Sequence, residues 1–289
     1  MDHAIVNPDL ESAAKRALTH FTGLEDSLKP LYLQPDRAVF LAEYLQVVLK
    51  VYVAGNVLRH EYEIAQKATS IGVPTPTMLG FEAGQPAVFA MKQVIGHPLS
   101  SHQMYAAQEA GTYLLRFHTL GAQPPFAGGQ QHWDDFILWW VHDELEKVKR
   151  FEVFDHMQLI ELQGIFDRLK SLLAQRPVVL LHGDLQSDHI LVDSQTEKVL
   201  AFLDFADAQP GDPLWDIAVV TLWDIRLTDL LLAGYNSIEK NEETKQLLSL
   251  YRLLRHLTEI PWLLDRGFKK IAERNITALK DSLRAFPHY

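Results

Sequence analysis

The sequence contains no cysteine, which excludes disulfides, cysteine–zinc sites and thiol catalysis. It also lacks a dense basic stretch: 27 lysines and arginines stand against 37 aspartates and glutamates, so the formal net charge is −10. This acidic balance argues against a nucleic-acid partner, because nucleic-acid phosphates bind basic surfaces. No apolar run approaches the length of a membrane span, and residues 1–18 have no apolar signal core. We therefore expect a cytoplasmic protein without a membrane partner.

Two glycine-rich motifs that bind nucleotide phosphates are also missing. Neither GxxxxGK[ST] nor GxGxxG occurs, which excludes the P-loop and Rossmann folds. What remains is ordinary for a soluble globular protein, with 47% hydrophobic and 22% charged residues. A chain of 289 residues can bury a full core, either as one large domain or as two lobes.

The character of the sequence changes near residue 95. From residue 31 to residue 94, the segments RAVFLAEY, LQVVLKVYV and PAVFAMKQV have the composition of strands, with one helical stretch among them. After Gly96 the apolar spacing is mostly helical. We predict an α+β, bilobal fold with a small β-rich N-terminal lobe over residues 1–93. A larger, mostly helical C-terminal lobe follows over residues 94–289, joined to the first near KQVIGHP.

A cluster of polar residues lies between two apolar runs in VVLLHGDLQSDHILVD. The runs Val178–Leu181 and Ile190–Val192 are typical of short buried strands, so the polar residues between them are predicted to form a tight loop. Catalytic groups are often placed on loops that rigid strands support. Both metal-dependent hydrolysis and phosphoryl transfer could use this loop. The residues that it carries are His182, Asp184, Asp188 and His189.

A lysine lies inside one predicted strand, in QVVLKVYV. Burying an ammonium without a partner is costly, so Lys50 either extends its amine out of the strand end or meets a counter-ion. The following helix offers Glu61 in LRHEYEI, whereas Glu63 faces a different side of that helix. Protein kinases use such a lysine–glutamate pair to hold the α- and β-phosphates of a nucleotide.

A second carboxylate follows a strand in FLDFADAQPGDPLWDIA. Asp204 comes at the end of an apolar run, and we expect it near Asp184. Two carboxylates at neighbouring strand ends suit magnesium and bound phosphate, one holding the metal while the other takes a hydroxyl proton. Asp212 precedes Pro213 and is predicted to be a helix N-cap, and Asp216 is interpreted as structural.

The sequence resembles the aminoglycoside phosphotransferase and choline kinase-like family in a series of segments that occur in the same order. These segments are VLKVY, LRHEYEI, GVPTPTMLG, VFAMKQVIGHPLS, LLHGDLQSDHILVD and FLDFADAQPGDPLWDIA. The resemblance covers residues 31–265 and implies a protein-kinase-like fold that transfers the γ-phosphate of ATP or GTP, with Mg²⁺, to a small molecule. It implies that Asp184 is the catalytic base and Asp204 the metal ligand. Further roles that it implies are nucleotide-phosphate binding by Lys50, orientation of that lysine by Glu61, an adenine-facing linker of Met91, Lys92, Gln93 and Val94, and bracing of the catalytic loop by His182.

Two positions depart from the family pattern. The loop that covers the phosphates is usually rich in glycine, but LYLQPDRAVF contains none, so backbone amides can approach a phosphate less freely. His189 stands where the family more often has a metal-binding asparagine. We therefore expect Asp204 to carry most of the metal ligation, with His189 as a weaker or manganese-tolerant contact. His118, in LLRFHTL, is predicted to be a packed helix histidine.

Two other functions stay open at this stage. A metal-dependent phosphoesterase could use the two loop histidines, although neither the Asp-x-His nor the Asn-His pair of such enzymes occurs. A nucleotide-binding pseudokinase would explain the missing glycines and His189, but Lys50, Asp184 and Asp204 together argue against it.

The substrate is predicted from the acidic residues of the helical part. We expect a cationic or polyhydroxylated small molecule that binds through Asp207. An aminoglycoside is the first choice of substrate, and the alternatives are a macrolide, choline, an amino sugar or homoserine. The enzyme is expected to be a monomer or a homodimer. The other acids that could line the substrate pocket, or else form a solvated helix face, are Asp134, Asp135, Asp143, Glu144, Glu259 and Asp265.

Overall fold

The computed structural model describes residues 8–286. The outer ends of both predicted lobes, residues 1–7 and 287–289, lie outside this range. Within it the strands are β1 (Leu28–Leu33), β2 (Arg37–Ala42), β3 (Val47–Tyr52), β4 (Met78–Glu82), β5 (Ala87–Lys92), β6 (His97–Pro98), β7 (Val179–Leu181), β8 (Ile190–Val192), β9 (Val199–Phe202) and β10 (Gln209–Gly211). The helices are α1 (Pro8–Thr22), α2 (Gly55–Ser70), α3 (Met104–His118), α4 (Trp133–Lys149), α5 (His156–Arg168), α6 (Lys170–Leu173), α7 (Leu214–Val220), α8 (Leu227–Tyr235), α9 (Glu242–Asp265) and α10 (Lys269–Ala285).

The first five strands form one antiparallel sheet in the order β1-β2-β3-β5-β4. Its central strand β3 consists of VVLKVY, and β-branched residues of this kind pack well on a pleated surface. Helix α1 packs on the sheet through buried alanines and leucines. Helix α2 buries Leu58, Glu61 and Ile64. The sheet therefore holds Lys50 on its central strand, opposite Val39 on β2 and Phe89 on β5.

Two small sheets follow in the second part of the chain. Strands β6, β8 and β9 form one antiparallel sheet, and β7 pairs antiparallel with β10. The pairing of β8 with β9 aligns Ile190 with Phe202, and the pairing of β7 with β10 aligns Leu181 with Gln209. The loops 182–189 and 203–208 are consequently held side by side at the ends of these strands.

The remaining chain is mostly helical and packs around one large apolar core. Trp215 and Tyr251 are among its largest fully buried side chains. This arrangement, a β-sheet in the N-terminal region and helices in most of the remainder, confirms the predicted fold class, whereas the division at residues 93 and 94 stays a prediction. Across residues 8–286, none of the helices combines the length and the apolar composition that crossing a membrane requires.

Candidate active site

Lys50, Glu61 and Asp204 form a triad of ion pairs between the sheet, α2 and the segment after β9. The Lys50 amine lies 2.6 Å from Glu61 Oε1 and 2.9 Å from Asp204 Oδ1. The side chain of Glu61 is 2% exposed and that of Lys50 is 11% exposed. The structure thus brings together three residues that the sequence singled out separately, and the lysine has a counter-ion rather than extending to solvent.

The charges of the triad depend on one another. Burial disfavours the ammonium of Lys50, but Glu61 and Asp204 outweigh this effect and hold its pKa above the usual range. Burial raises the pKa of Glu61 to about 7, and the charge of Lys50 offsets only part of that increase. Burial also acts on Asp204, yet the charges of Lys50 and His189 lower its pKa to about 2. Because an ammonium has three N–H donors, two carboxylates leave one donor for a further anion.

Asp204 adopts an unusual backbone conformation. Its φ is 63°, in the left-handed region, and the short 3-10 turn Phe205–Asp207 begins directly after it. Aspartate tolerates this region better than most residues, at a cost of roughly 1–2 kcal/mol for a non-glycine residue. The turn directs the carboxylate of Asp204 back toward Lys50, and Asp207 follows three residues later.

An apolar cleft of about 370 Å³ opens beside the triad. Its walls come from the underside of the sheet and from the small sheet of β8 and β9. The hairpin residues Leu31 and Tyr32 close one side, in the segment predicted as the glycine-free cover loop. The predicted linker and both predicted metal contacts line this apolar cleft, namely Met91, Lys92, Gln93, Val94, His189 and Asp204.

The loop that carries Asp184 is anchored by a buried aspartate. The backbone N–H groups of His182 and Gly183 donate to the two carboxylate oxygens of Asp216, at 2.8 and 3.0 Å. His118 Nε2 lies 3.0 Å from the same carboxylate, and its Nδ1 lies 2.8 Å from the hydroxyl of Tyr235. The sequence suggested a structural role for Asp216 but did not show that it holds the loop in place.

His182 is fully buried within that loop. Its Nε2 lies 2.8 Å from the carbonyl oxygen of Leu203, so this nitrogen is the donor and links the two loops. Burial lowers the pKa of His182, which favours a neutral ring. A ring enclosed and bonded in this way is suited to holding the loop rather than to reacting with a ligand.

Asp184 binds through one oxygen and leaves the other open. Oδ1 accepts hydrogen bonds from Arg255 Nη2 at 2.5 Å and from Gln186 Nε2 at 3.1 Å. In the described part of the chain, no donor lies within hydrogen-bond distance of Oδ2, and His189 Nδ1 is 3.9 Å away. Arg255 also contacts Glu259 at 2.5 Å, one turn further along α9. Arg255 was not predicted from the sequence, because an arginine with a glutamate four residues later is an ordinary pattern on a solvated helix.

His189 is oriented by a backbone carbonyl. Its Nδ1 lies 2.7 Å from the carbonyl oxygen of Asp184 and must therefore donate the hydrogen bond. In a neutral ring, Nε2 then carries the lone pair, which is the arrangement that metal-binding histidines usually adopt. The carboxylate of Asp204 and Nε2 of His189 would supply two donors, so a divalent cation here would need phosphate oxygens or water to complete its shell. Among residues 8–286, no group of three or more His, Asp or Glu side chains is arranged to hold a metal by itself.

A second cleft, of about 620 Å³, adjoins Asp184 and is called the charged cleft below. The sequence suggested that a set of acids lines the substrate pocket, an idea called the acidic-pocket hypothesis below. Four of these acids line the charged cleft, namely Asp207, Glu144, Glu259 and Asp265. The other three acids of that hypothesis are not among its lining residues. Asp134 and Asp135 pair instead with Lys170, and Asp143 pairs with Lys147.

The carboxylate of Asp207 reaches the solvent of the charged cleft. The surrounding walls and the negative charges of Asp184 and Asp204 nevertheless raise its pKa. Gly183 fixes the position of Asp207 relative to the loop that carries Asp184. At φ +86°, a Cβ on Gly183 would lie 2.0 Å from the carbonyl oxygen of Asp207, so no larger residue fits without moving one of the loops.

Asp212 caps the start of α7 through its side chain, as predicted. The helix itself begins at Leu214, and Pro213 already has helical dihedral angles (φ −55°, ψ −25°). The carboxylate of Asp212 accepts the N–H of Leu214 at 3.0 Å and binds Arg176 and Tyr251 at 2.6 and 2.7 Å. Through these additional partners Asp212 also links α7 to Tyr251 on α9 and to Arg176 before β7, which a local capping pattern does not reveal.

Solved structures of aminoglycoside phosphotransferases share this fold. Aminoglycoside 2'-phosphotransferase-IIIa in its GDP complex has a TM-score of 0.74 and 16% identity, covering 96% of this chain and 99% of that chain. A thermostable mutant of aminoglycoside phosphotransferase APH(4)-Ia with ADP and hygromycin B has a TM-score of 0.71 and 16% identity, covering 96% and 100%. The gentamicin complex of APH(2")-IIa has a TM-score of 0.68 and 16% identity, covering 95% and 97%. At this identity the likeness establishes the protein-kinase-like fold alone.

The sequence comparisons identify the family. No curated protein gives a significant sequence match. The model of the phosphotransferase enzyme family matches residues 36–257, which is well over half of the chain. This match confirms the predicted enzyme class, a phosphotransferase that acts on alcohol groups. The chain belongs to the phosphotransferase enzyme family.

Proposed function

We propose that this protein is a small-molecule kinase that transfers the γ-phosphate of ATP or GTP to a hydroxyl group of a hydroxylated antibiotic or metabolite. The structural neighbours with GDP, ADP, hygromycin B and gentamicin support nucleotide use and an aminoglycoside-like acceptor as the first class to test. A cytoplasmic location and a monomeric or homodimeric state remain predictions.

The observation that carries the proposal is the junction of two clefts at Asp184 and Asp204. The triad of Lys50, Glu61 and Asp204 lies in the wall of the apolar cleft, which suits a purine base with its phosphates directed toward Lys50. Asp184 lies at the wall of the charged cleft, where an acceptor hydroxyl would enter. A phosphoryl group has to pass between two such sites, and catalysis consists mainly of positioning and charge stabilisation.

Each residue is then assigned one task. Asp184 Oδ2, which has no donor in the described part of the chain, accepts the proton of the acceptor hydroxyl, while Oδ1 stays bound to Arg255 and Gln186. Lys50 binds the nucleotide phosphates with its remaining N–H. Asp204 and His189 would hold a divalent cation, which would supply positive charge beside the transferred phosphoryl group.

The other two functions have less support. A phosphoesterase would need His182 as a metal ligand, but its Nε2 is bound to Leu203 and its ring is buried. A donor set of Asp204 and His189 suits a metal–nucleotide complex, since the phosphates complete the coordination shell. A pseudokinase would not need the complete triad together with an open oxygen on Asp184.

Substitution of the two aspartates tests the mechanism. Asp184→Asn should fold and bind nucleotide, yet lose about 100-fold or more in acceptor-dependent turnover, because only the base is removed. Asp204→Ala should instead abolish metal-dependent nucleotide binding. Nucleotide consumption with a panel of hydroxylated acceptors measures the first, and calorimetry with ATP and GTP in the presence and absence of Mg²⁺ measures the second.

Asp281→Asn is the matched control, because Asp281 is an exposed aspartate on α10 that pairs with Arg284. It should keep full turnover and nucleotide binding. Near-wild-type turnover in Asp184→Asn would contradict the kinase mechanism. A chelator-sensitive phosphatase activity without nucleotide would favour the phosphoesterase.

A further inference from the structure

The charged cleft carries equal numbers of acidic and basic side chains. This balance is unexpected for a protein with a formal net charge of −10. The acidic-pocket hypothesis included only the acidic side chains and none of the basic ones. The acids in its lining are Glu144, Asp184, Asp207, Glu259 and Asp265. The bases in its lining are Arg37, Lys147, Arg150, Arg255 and Arg266.

Most of the acids already have a cationic partner within the protein. Glu144 binds Lys147 at 2.8 Å, and Asp265 binds Arg150. Asp184 and Glu259 share Arg255. Among residues 8–286, Asp207 is the lining acid for which no ion pair or hydrogen bond forms. The charged cleft therefore offers one free carboxylate to an incoming amine, and that carboxylate lies beside Asp184.

The bases at the outer rim are less fully neutralised. Arg266, at the end of α9, has no carboxylate within ion-pair distance in the described residues and stacks on Trp262, with its Cζ 4.3 Å from the ring centre. Arg37 comes from the hairpin of the N-terminal sheet and binds its neighbour Asp36 at 3.1 Å, an exposed pair. The hydrogen bond and charge of Arg37 and the charge of Arg266 together lower the pKa of Asp36, so this one carboxylate lies near both guanidinium groups. The Arg37–Asp36 pair is exposed and therefore weak, and one carboxylate cannot neutralise two guanidinium groups, so both remain able to bind a ligand anion.

A polycation fits this distribution poorly. Its first amine could reach Asp207, but every further amine would have to displace a bound arginine or lysine or lie near the basic rim. Like charges that meet in a binding site cost affinity and exclude the wrong ligand. A guanidinium group, by contrast, is well suited to a carboxylate or a phosphate, because its planar N–H groups match two oxygens.

We propose that the acceptor carries an acidic group in addition to its hydroxyl, with at most one cationic group. The acidic group, a carboxylate or a phosphate, binds the rim formed by Arg37 and Arg266. The cationic group binds Asp207, which places the hydroxyl at Asp184. This inference rests on the proposed kinase function and narrows its acceptor to a small amino-acid-like or acidic amino-sugar compound instead of a multiply charged aminoglycoside.

A matched series of ligands tests the charge preference. Glucosamine, 2-amino-2-deoxyglucuronic acid and glucosamine 6-phosphate share one ring and one amine and differ at carbon 6, and kanamycin is the polycation. Binding is measured by calorimetry on the wild-type enzyme loaded with ADP, which has no γ-phosphate to transfer. We expect at least one acidic sugar to bind about tenfold more tightly than glucosamine and more tightly than kanamycin. The two acidic sugars distinguish a carboxylate from a phosphate.

Either of two results would overturn the inference: kanamycin binding more tightly than both acidic sugars, or acidic sugars binding no better than glucosamine. Failure of the kinase function is a separate result, namely that ligands which bind the ADP-loaded enzyme never stimulate consumption of ATP or GTP.

A variant of the rim provides the second measurement. Arg266→Gln should lower the affinity for the acidic sugar about fivefold relative to glucosamine, while the affinity for glucosamine itself stays unchanged. Arg284→Gln, an exposed arginine on α10 outside the charged cleft, is the matched control and should change neither. Equal losses for glucosamine and its acidic counterpart in Arg266→Gln would show that the rim does not bind the acid.

Discussion

The apolar cleft and the charged cleft use charge in different ways. In the apolar cleft, Lys50, Glu61 and Asp204 form one closed triad among apolar walls, on backbone that the central strand and the turn after β9 hold in place. In the charged cleft, five of the ten ionisable side chains lie on α4 and α9, and seven of the ten pair with one another through long, rotatable side chains. The first arrangement suits one ligand with a fixed charge pattern. The second can change its selectivity through single surface substitutions.

Substitution of the triad should separate the two clefts most clearly. Lys50→Met should lower kcat/KM for the nucleotide by at least about 100-fold, because Glu61 and Asp204 lose their shared cation and the phosphates lose a donor. Steady-state kinetics with varied nucleotide measures this effect, and thermal unfolding confirms that the variant folds. Lys29→Met, at an exposed lysine on β1 that pairs with Glu43, is the control. An altered acceptor KM with unchanged nucleotide constants would contradict the assignment.

The next largest effect is expected at Arg255. Arg255→Ala should reduce kcat by about tenfold or more, because Asp184 loses a charge-assisted hydrogen bond that orients its carboxylate. The nucleotide KM should stay the same, because Arg255 does not line the apolar cleft. Arg255→Lys should recover part of kcat, and added guanidinium ion should partly rescue the alanine variant. Equal losses in both variants without rescue would indicate that Arg255 has only a packing role.

Removal of the free carboxylate should affect the acceptor alone. Asp207→Asn should raise the KM of an amine-bearing acceptor by about fivefold and make its binding less sensitive to salt, since a charge pair is lost. Titrations at low and moderate ionic strength measure both effects. An acceptor without an amine should show no change and serves as the internal control. A shift in nucleotide KM of similar size would show that Asp207 acts on both clefts.

Substitution of His189, the proposed metal contact, should have a milder effect. His189→Asn replaces a nitrogen ligand by a hard carbonyl oxygen, so it should shift preference toward Mg²⁺ relative to Mn²⁺ by about threefold while activity persists. Mn²⁺ binding to the nucleotide-loaded protein, followed by electron paramagnetic resonance, measures this without turnover. An unchanged Mn²⁺ affinity in both His189→Asn and His189→Ala would show that this residue only packs.

The smallest effect is a pH-dependent one. The charges of Lys50 and His189 outweigh burial and lower the pKa of Asp204 to about 2, below its ordinary value of 3.8. The stabilisation from its ionised form is therefore complete above about pH 4 and is lost as the pH falls toward 2. Because about a third of this side chain is exposed (37%), solvent screening reduces the stabilisation to about 1 kcal/mol. Denaturant unfolding should show that the stability of Asp204→Asn approaches that of wild type below pH 4.

The triad was predictable because each member lies in a distinctive local context. A lysine among β-branched residues needs a partner, and helical phase allows only one of Glu61 and Glu63 to face it; the family resemblance favoured Glu61. The structure joins both to Asp204, which follows an apolar strand as predicted. Family resemblance supplied the assigned roles, which these contacts do not test.

The charged cleft could not be predicted in the same way. Arg255 reaches Asp184 from a helix 71 positions further along the chain, and Arg266 and Arg37 come from opposite ends of the sequence. Each arginine has ordinary neighbours in the sequence, so the apolar periodicity does not predict that these side chains lie close together in the fold. The acidic-pocket hypothesis therefore counted carboxylates along the chain without the arginines that tertiary packing brings to them.

The close contact of Gly183 with Asp207 limits how this enzyme can be redesigned or can diverge. The backbone of one loop rests against the other, so no one-residue change can adjust the distance between Asp184, the proposed base, and the free carboxylate of Asp207. Libraries that vary residue 183 should yield mostly inactive proteins. Productive changes of acceptor range should instead accumulate at the outer rim, around Arg37 and Arg266, where side chains can vary without moving the backbone that carries Asp184.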